Sequence, residues 1–240
     1  TVAFHVADVN TLILPARAFD AVWAHSALHH FAALEHVFGQ IRRALKPGGL
    51  LILNEYVGPS RFQFPERQKE IINLCLRLLP PAYRTHAPEA AAADAQNTPF
   101  NRGPRWALSR LADKARDGNV IATLRRRIET YAASATGRRR LKERVTFPTA
   151  HDVAAFDSSE AVRSGEIIGL LKRDFDIVEQ KALGGNILQF MLADIAGNFT
   201  ENDPHSQALL KMIVHIEETF IAGGEFESDY VYIVARPRPE

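Results

Sequence analysis

Phe19-Asp20-Ala21-Val22-Trp23-Ala24-His25-Ser26-Ala27-Leu28-His29-His30 decides the reading of this chain. Its first half, Phe19 to Ala24, is a β-favouring run, and His25 to Phe31 carries the chain away from the strand's C-terminal end. From Leu34 the apolar residues Leu34, Val37, Phe38, Ile41 and Leu45 follow the spacing of one helical face. Lys46-Pro47-Gly48-Gly49 stops that helix, because proline breaks the hydrogen-bond ladder and glycine accepts a left-handed turn. Leu50-Leu51-Ile52-Leu53 then reads as a strand buried on both faces, ending at Asn54-Glu55-Tyr56. Strand, helix, glycine turn and strand make a βαβ unit, whose polar strand ends face the crevice where open α/β sheets bind ligands.

Upstream, Val2 to Ala7 reads as a short strand ending at Asp8, with a loop through Leu14-Pro15. Downstream, 59–150 changes character to helical segments and loops. It includes the alanine-rich stretch Ala90 to Ala95, the loop at Asn101-Arg102-Gly103-Pro104, and a basic part from Leu124 to Val145. That basic part lacks interleaved aromatic residues of the kind that stack on bases, so a solvated helix face is its expected role, with an acidic substrate or partner the alternative. Asp157-Ser158-Ser159-Glu160 resembles a capping box, with a helix following through Val162, Ile167, Leu170 and Leu171. A strand at Phe175 to Val178 comes next. Asp203-Pro204 then opens a helix that Gly223-Gly224 closes, and Tyr230 to Val234 is the last strand. The expected organisation is a sheet domain of 1–58 and 151–240, with 59–150 as a helical insertion or lid.

The 240 residues are 46% hydrophobic and 24% charged, enough for one sizeable core. With 29 Lys+Arg against 28 Asp+Glu, no global field recruits nucleic acid or an anionic membrane. The single cysteine, Cys75, excludes an internal disulfide, and no Cys/His cluster has structural-zinc spacing. A cytoplasmic setting fits these features, and no stretch has the apolar length of a membrane span.

The pair "FDAVWAHSALHH" and Ala44-Leu45-Lys46-Pro47-Gly48-Gly49-Leu50-Leu51 closely resembles a class I S-adenosylmethionine-dependent methyltransferase. In that family the first motif marks the fourth sheet strand and its active-site loop, and the second marks the turn into the fifth. Asn54 to Phe62, Ser159 to Ser164 and Ile195 to Phe199 look like a bacterial subgroup of uncertain substrate. The resemblance implies an α/β, Rossmann-like sheet, mostly parallel with an antiparallel last strand. That sheet is expected to be incomplete at the N-terminus, because the family's Gly-x-Gly-x-Gly loop and its acidic second-strand end are not in this sequence.

The resemblance also assigns residues. Asp8 matches the position whose carboxylate accepts from the adenine amino group of S-adenosyl-L-methionine, with the Val9 backbone beside it; capping its own loop is the alternative. Ala24 and His25 match the positions lining the methionine portion. His29 and His30 are the polar groups expected to reach a small-molecule acceptor, either one serving as base, with Glu55 as second choice. Tyr56 and Arg163 are candidate substrate contacts, with a solvated strand end the alternative for Glu55 and Tyr56 and surface salt bridging the default for Arg163. Methyl transfer of this kind demands no metal. Without the glycine loop, weak or absent cofactor binding is expected of this sequence. The rival reading is a non-catalytic binding or partner protein on the same scaffold; a nicotinamide dehydrogenase would leave both motifs without a role. The oligomeric state is not legible.

Overall fold

The computed structural model describes residues 3–86 and 141–239. The alanine-rich stretch, the loop at 101–104 and most of the basic part expected of the insertion lie outside them. The chain divides into two compact units, 1–72 with 146–190 and 214–240, and 73–145 with 191–213.

The first unit is built on a four-stranded sheet. Strand β1 (Phe19–His25) lies at one edge, beside β2 (Leu45–Tyr56), then β4 (Tyr230–Pro237), with β3 (Phe175–Gly184) at the far edge. β1 and β2 are parallel, while β4 runs antiparallel to both β2 and β3. Three strands therefore share a direction and the last opposes them, as expected for a Rossmann-like methyltransferase sheet.

Helix α1 (Leu34–Ala44) buries Leu34, Val37, Phe38 and Ile41, the stripe its spacing predicts. They join Leu51, Leu53, Val231 and Ile233 of the sheet, and Ile167 and Leu171 of a later helix, in one core. Each fully buried side chain of this size contributes roughly 1.5–3 kcal/mol of transfer free energy.

The glycine turn does its work inside the strand. α1 is capped by Leu45, already extended, and β2 starts there. The register then jumps from Phe19 opposite Leu45 to Ala21 opposite Leu50, so Lys46 to Gly49 bulge out of the pair. Gly48 supplies the left-handed step with φ of 79°. Lys46 Nζ closes the bulge on both Asp20 oxygens, at 2.9 and 2.8 Å.

Three local expectations are corrected. Ala3 to Ala7 form no strand; they are exposed and have no sheet partner among the described residues. The segment after them is instead strapped to α1, with His36 Nε2 2.9 Å from the Leu12 carbonyl and Leu14 N–H donating to Gln40 Oε1. The capping box belongs to Thr149 and Asp152, which start α3 (Ala150–Phe156). Asp157 lies just past the end of that helix, and the helix expected from Val162 starts only at Ile167, as α4 (Ile167–Asp174).

Among the described residues the remaining helices are α2 (Glu66–Leu78), the short α5 (Leu188–Leu192) and α6 (Pro204–Ala222). In the second unit, Asn198 Nδ2 donates to the carbonyls of Tyr83 and Thr85, and the Tyr83 hydroxyl donates to Asp203 at 2.6 Å.

Candidate functional site

At the C-terminal end of β1 the chain must leave the sheet, and Ser26 turns it with a positive φ of 46°. The Ser26 N–H donates to the Asn54 carbonyl at 2.9 Å, so the turn stays pinned to β2. Beyond it the N–H groups of Ala27 and Leu28 both donate to Glu55 Oε2, at 2.8 and 2.6 Å. One 3-10 turn, Leu28–His30, then presents the two histidines.

Glu55 is fully buried near the end of β2. A buried carboxylate has to be met by donors. Its second oxygen, Oε1, accepts from the Tyr56 N–H at 2.9 Å and lies 2.5 Å from His29 Nδ1. Burial pushes this carboxyl up, but the His29 hydrogen bond and the Ala27 and Leu28 N–H groups hold it below its ordinary value. The group is therefore an ionised acceptor, and His29 must carry its hydrogen on Nδ1. In the neutral ring, Nε2 is left with a lone pair.

A second wall comes from 157–162. Arg61 fixes that segment by donating to the carbonyls of Glu160 (2.8 Å), Ser158 (2.7 Å) and Asp157 (3.4 Å). The Val162 N–H donates to the His29 carbonyl at 3.0 Å, tying the two walls together. Ser159 Oγ donates to Asp157 Oδ1 at 2.7 Å and lies 3.0 Å from His30 Nδ1. The hydroxyl and N–H of Ser159 hold the Asp157 carboxyl low, so this carboxylate takes the only hydroxyl hydrogen. His30 Nδ1 is then the donor toward Ser159, which in the neutral ring leaves the lone pair on Nε2. Both Nε2 atoms face Glu160, at 3.7 Å for His29 and 3.9 Å for His30.

Among the residues expected from sequence, His29, His30 and Glu55 come together in one constellation. Asp8 is exposed and does cap its own turn: Oδ1 accepts from the backbone and side chain of Asn10. That turn reaches the same loop, because Asn10 Oδ1 accepts from the N–H groups of Ala32 and Ala33. Val9 is half-buried beside it. Ala24 and His25 are the last residues of β1, half-buried and exposed respectively. Tyr56 is interior, 2% exposed, with its hydroxyl donating to the Pro59 carbonyl. Arg163 is committed to Glu35, Glu166 and the Ala32 carbonyl, which raises its guanidinium pKa further.

The residues that sequence reasoning missed are Glu160, Ser159 and Arg61. Ser159 and Glu160 lie within the expected capping box, and Arg61 within the Asn54 to Phe62 stretch. Only a long-range contact reveals them, since Ser159 lies 129 positions from His30.

Residues 1–53 match the family model described as a methyltransferase domain. That stretch is class I methyltransferase sequence. The methyltransferase segment holds β1, both histidines, α1 and most of β2, and stops two residues short of Glu55. Methyltransferases of this class take S-adenosyl-L-methionine as methyl donor. The 27-O-demethylrifamycin SV methyltransferase of Amycolatopsis mediterranei (strain S699) is 43% identical over 56 residues, 23% of this chain and 21% of that one. The malonyl-[acyl-carrier protein] O-methyltransferase of Methylovorus sp. (strain MP688) is 42% identical over 54 residues, 22% of this chain and 18% of that one. The matched part is thus about a fifth of each relative's length. An S-adenosylmethionine dependent methyltransferase from Mesorhizobium loti superposes with a TM-score of 0.36 at 13% identity, over 97% of this chain and 67% of that one. Among the described residues, no helix is long and apolar enough to cross a membrane.

Proposed function

We propose that this chain carries the acceptor side of an S-adenosyl-L-methionine-dependent methyltransferase that acts on a small molecule. The observation that supports it most is the pairing of His29 with the buried Glu55 in the loop after β1, at the C-terminal ends of two parallel strands. Fold alone would not license the reading, so it rests on this chemistry together with the methyltransferase sequence around it.

The residues present fit part of the donor, its adenine and methionine ends; the glycine-rich loop that would complete the grip is not in this sequence, so the donor is expected to bind weakly. Asp8 engages Asn10 through one oxygen only, so its other oxygen is the acceptor for the adenine amino group, with the Val9 backbone alongside. Ala24 and His25 end β1 where the methionine portion would lie. When bound, the sulfonium supplies both the methyl group and its own leaving group.

What the chain adds is alignment and proton handling. Glu55 holds the N–H groups of Ala27 and Leu28, so the loop stands in one conformation before any acceptor arrives. With Nδ1 bonded to Glu55, His29 offers Nε2 to the proton of an acceptor hydroxyl or amine, and the ionised carboxylate behind it stabilises the imidazolium that results. His30 stands beside it, ring centroids 4.2 Å apart, as the second polar contact. Glu55 serves as a positioning residue for His29, because its carboxylate is sealed from solvent. A cytoplasmic setting fits this reading.

The test is transfer from methyl-labelled S-adenosyl-L-methionine to a panel of small-molecule acceptors, by the protein and by His29→Ala. Labelled product that falls at least 100-fold in the variant supports the assignment. Binding of S-adenosylhomocysteine without turnover on any acceptor would point to a binding protein on the same scaffold.

A further inference from the structure

We propose that His29, His30 and Glu160 form a binding site for a divalent transition-metal cation of the zinc class. Their ligand atoms lie within 4.8 Å of one another, all in the first compact unit.

The hydrogen-bond network orients this cluster. Each imidazole has its Nδ1 hydrogen taken up on the far side: His29 by Glu55 directly, His30 by Ser159, whose own hydrogen goes to Asp157. In their neutral forms both rings therefore present Nε2 lone pairs to the same carboxylate, at 3.7 and 3.9 Å. Three electron-rich groups converging in this way repel one another unless a positive charge stands between them. Among the described residues no lysine or arginine pairs with the Glu160 carboxylate; Arg61 spends its donors on backbone carbonyls and Arg163 on Glu35, Glu166 and Ala32.

Two nitrogens and a carboxylate oxygen are the donor set of zinc and its neighbours. A carboxylate behind a ligating histidine fixes its tautomer and raises its basicity in such centres; Glu55 stands so behind His29, while Asp157 reaches His30 only through the Ser159 hydroxyl. Ligand atoms around a tetrahedral ion with bonds of about 2.0–2.1 Å stand roughly 3.4 Å apart. The two imidazole nitrogens stand 3.7 and 3.9 Å from different oxygens of Glu160, whose side chain is 23% exposed and can bring one oxygen toward both. Three protein ligands leave a fourth position open for water or an oxygen of a substrate. With the ion in place His29 Nε2 is spent on it, so the metal-bound state excludes the one in which that nitrogen takes the acceptor's proton.

Metal binding is read directly, so the outcome is separate from whether methyl transfer occurs. Chelator-treated protein is titrated with Co²⁺ and followed by visible absorption, and with Zn²⁺ by calorimetry. One equivalent of Co²⁺ giving ligand-field bands, displaced by Zn²⁺, is expected. Glu160→Gln and His30→Gln, both at partly exposed positions where folding is checked by circular dichroism, are expected to weaken binding at least 10-fold. Glu55→Gln, acting behind His29, is expected to weaken it 10–100-fold. Absence of a stoichiometric site, or binding that survives Glu160→Gln and His30→Gln together, overturns the proposal; the two imidazoles then meet Glu160 through protons alone.

Discussion

Glu55 Oε1 lies 2.5 Å from His29 Nδ1, and the glutamate is buried while the histidine keeps its other nitrogen toward Glu160. The buried carboxylate thus supports the ring, and the ring presents its other nitrogen. Removing the support with Glu55→Ala strands three backbone N–H groups and one imidazole N–H, which is expected to lower unfolding free energy by about 3–5 kcal/mol in urea titration. Glu55→Gln should cost about half as much, since its single carbonyl can satisfy only part of that set. Because the folded carboxyl titrates below its ordinary value, its contribution is complete above that value and is lost as pH falls through the folded one. The acid limb of stability against pH should flatten in the glutamine variant.

Ser26 stands at a φ that a side chain disfavours by about 1–2 kcal/mol. Ser26→Gly removes that penalty but loosens the unfolded chain, so a net change within about 1 kcal/mol is expected. Ser26→Val should destabilise by more than that and weaken the aim of the Ala27 and Leu28 N–H groups. Thermal unfolding of the two variants side by side checks the ordering.

Asp229 gives an opposite pH signature. It is 3% exposed, and burial first, with the charge of Glu217 adding to it, pushes the carboxyl up to about 7, against the donation from Gln68. The folded state thus holds this proton more tightly than the unfolded chain. The stability it contributes is full below pH 3.8 and is lost as pH rises toward about 7, a change of up to about 4 kcal/mol. Asp229→Asn should be more stable than the parent at pH 8, and the difference should shrink toward pH 4. Chemical denaturation at both pH values measures it.

Arg163 joins Glu35, Glu166 and the carbonyl of Ala32 at a partly exposed position. Pairs of this kind contribute little. Arg163→Ala is expected to lower the melting temperature by no more than about 2–4 °C, and to leave S-adenosylhomocysteine binding unchanged. A large loss of turnover with intact folding would instead restore a substrate contact.

The elements legible in the sequence were those whose signal is local. Leu34, Val37, Phe38 and Ile41 declare a helix face by spacing, and Asp203-Pro204 and Gly223-Gly224 mark the ends of α6 by their own backbone preferences. Ala3 to Ala7 misled because an apolar run states a preference for burial without naming a partner. Two stretches carry the same capping pattern, Thr149 to Asp152 and Asp157 to Glu160, and only tertiary structure decides which one starts a helix. His29, His30 and Glu55 were legible because a βαβ unit puts consecutive strand ends side by side. Glu160 was not, since its place opposite the histidines depends on Arg61 and Val162 folding a distant segment back.

The loop from Ala27 to Ala33 is gripped from four directions: by Glu55 beneath, Val162 at His29, Asn10 at its end, and Arg163 over Ala32. Its freedom was surrendered when the chain folded. A visitor to this surface meets a finished mould, so association should follow a single kinetic phase whose rate climbs linearly with concentration, without a plateau from slow rearrangement.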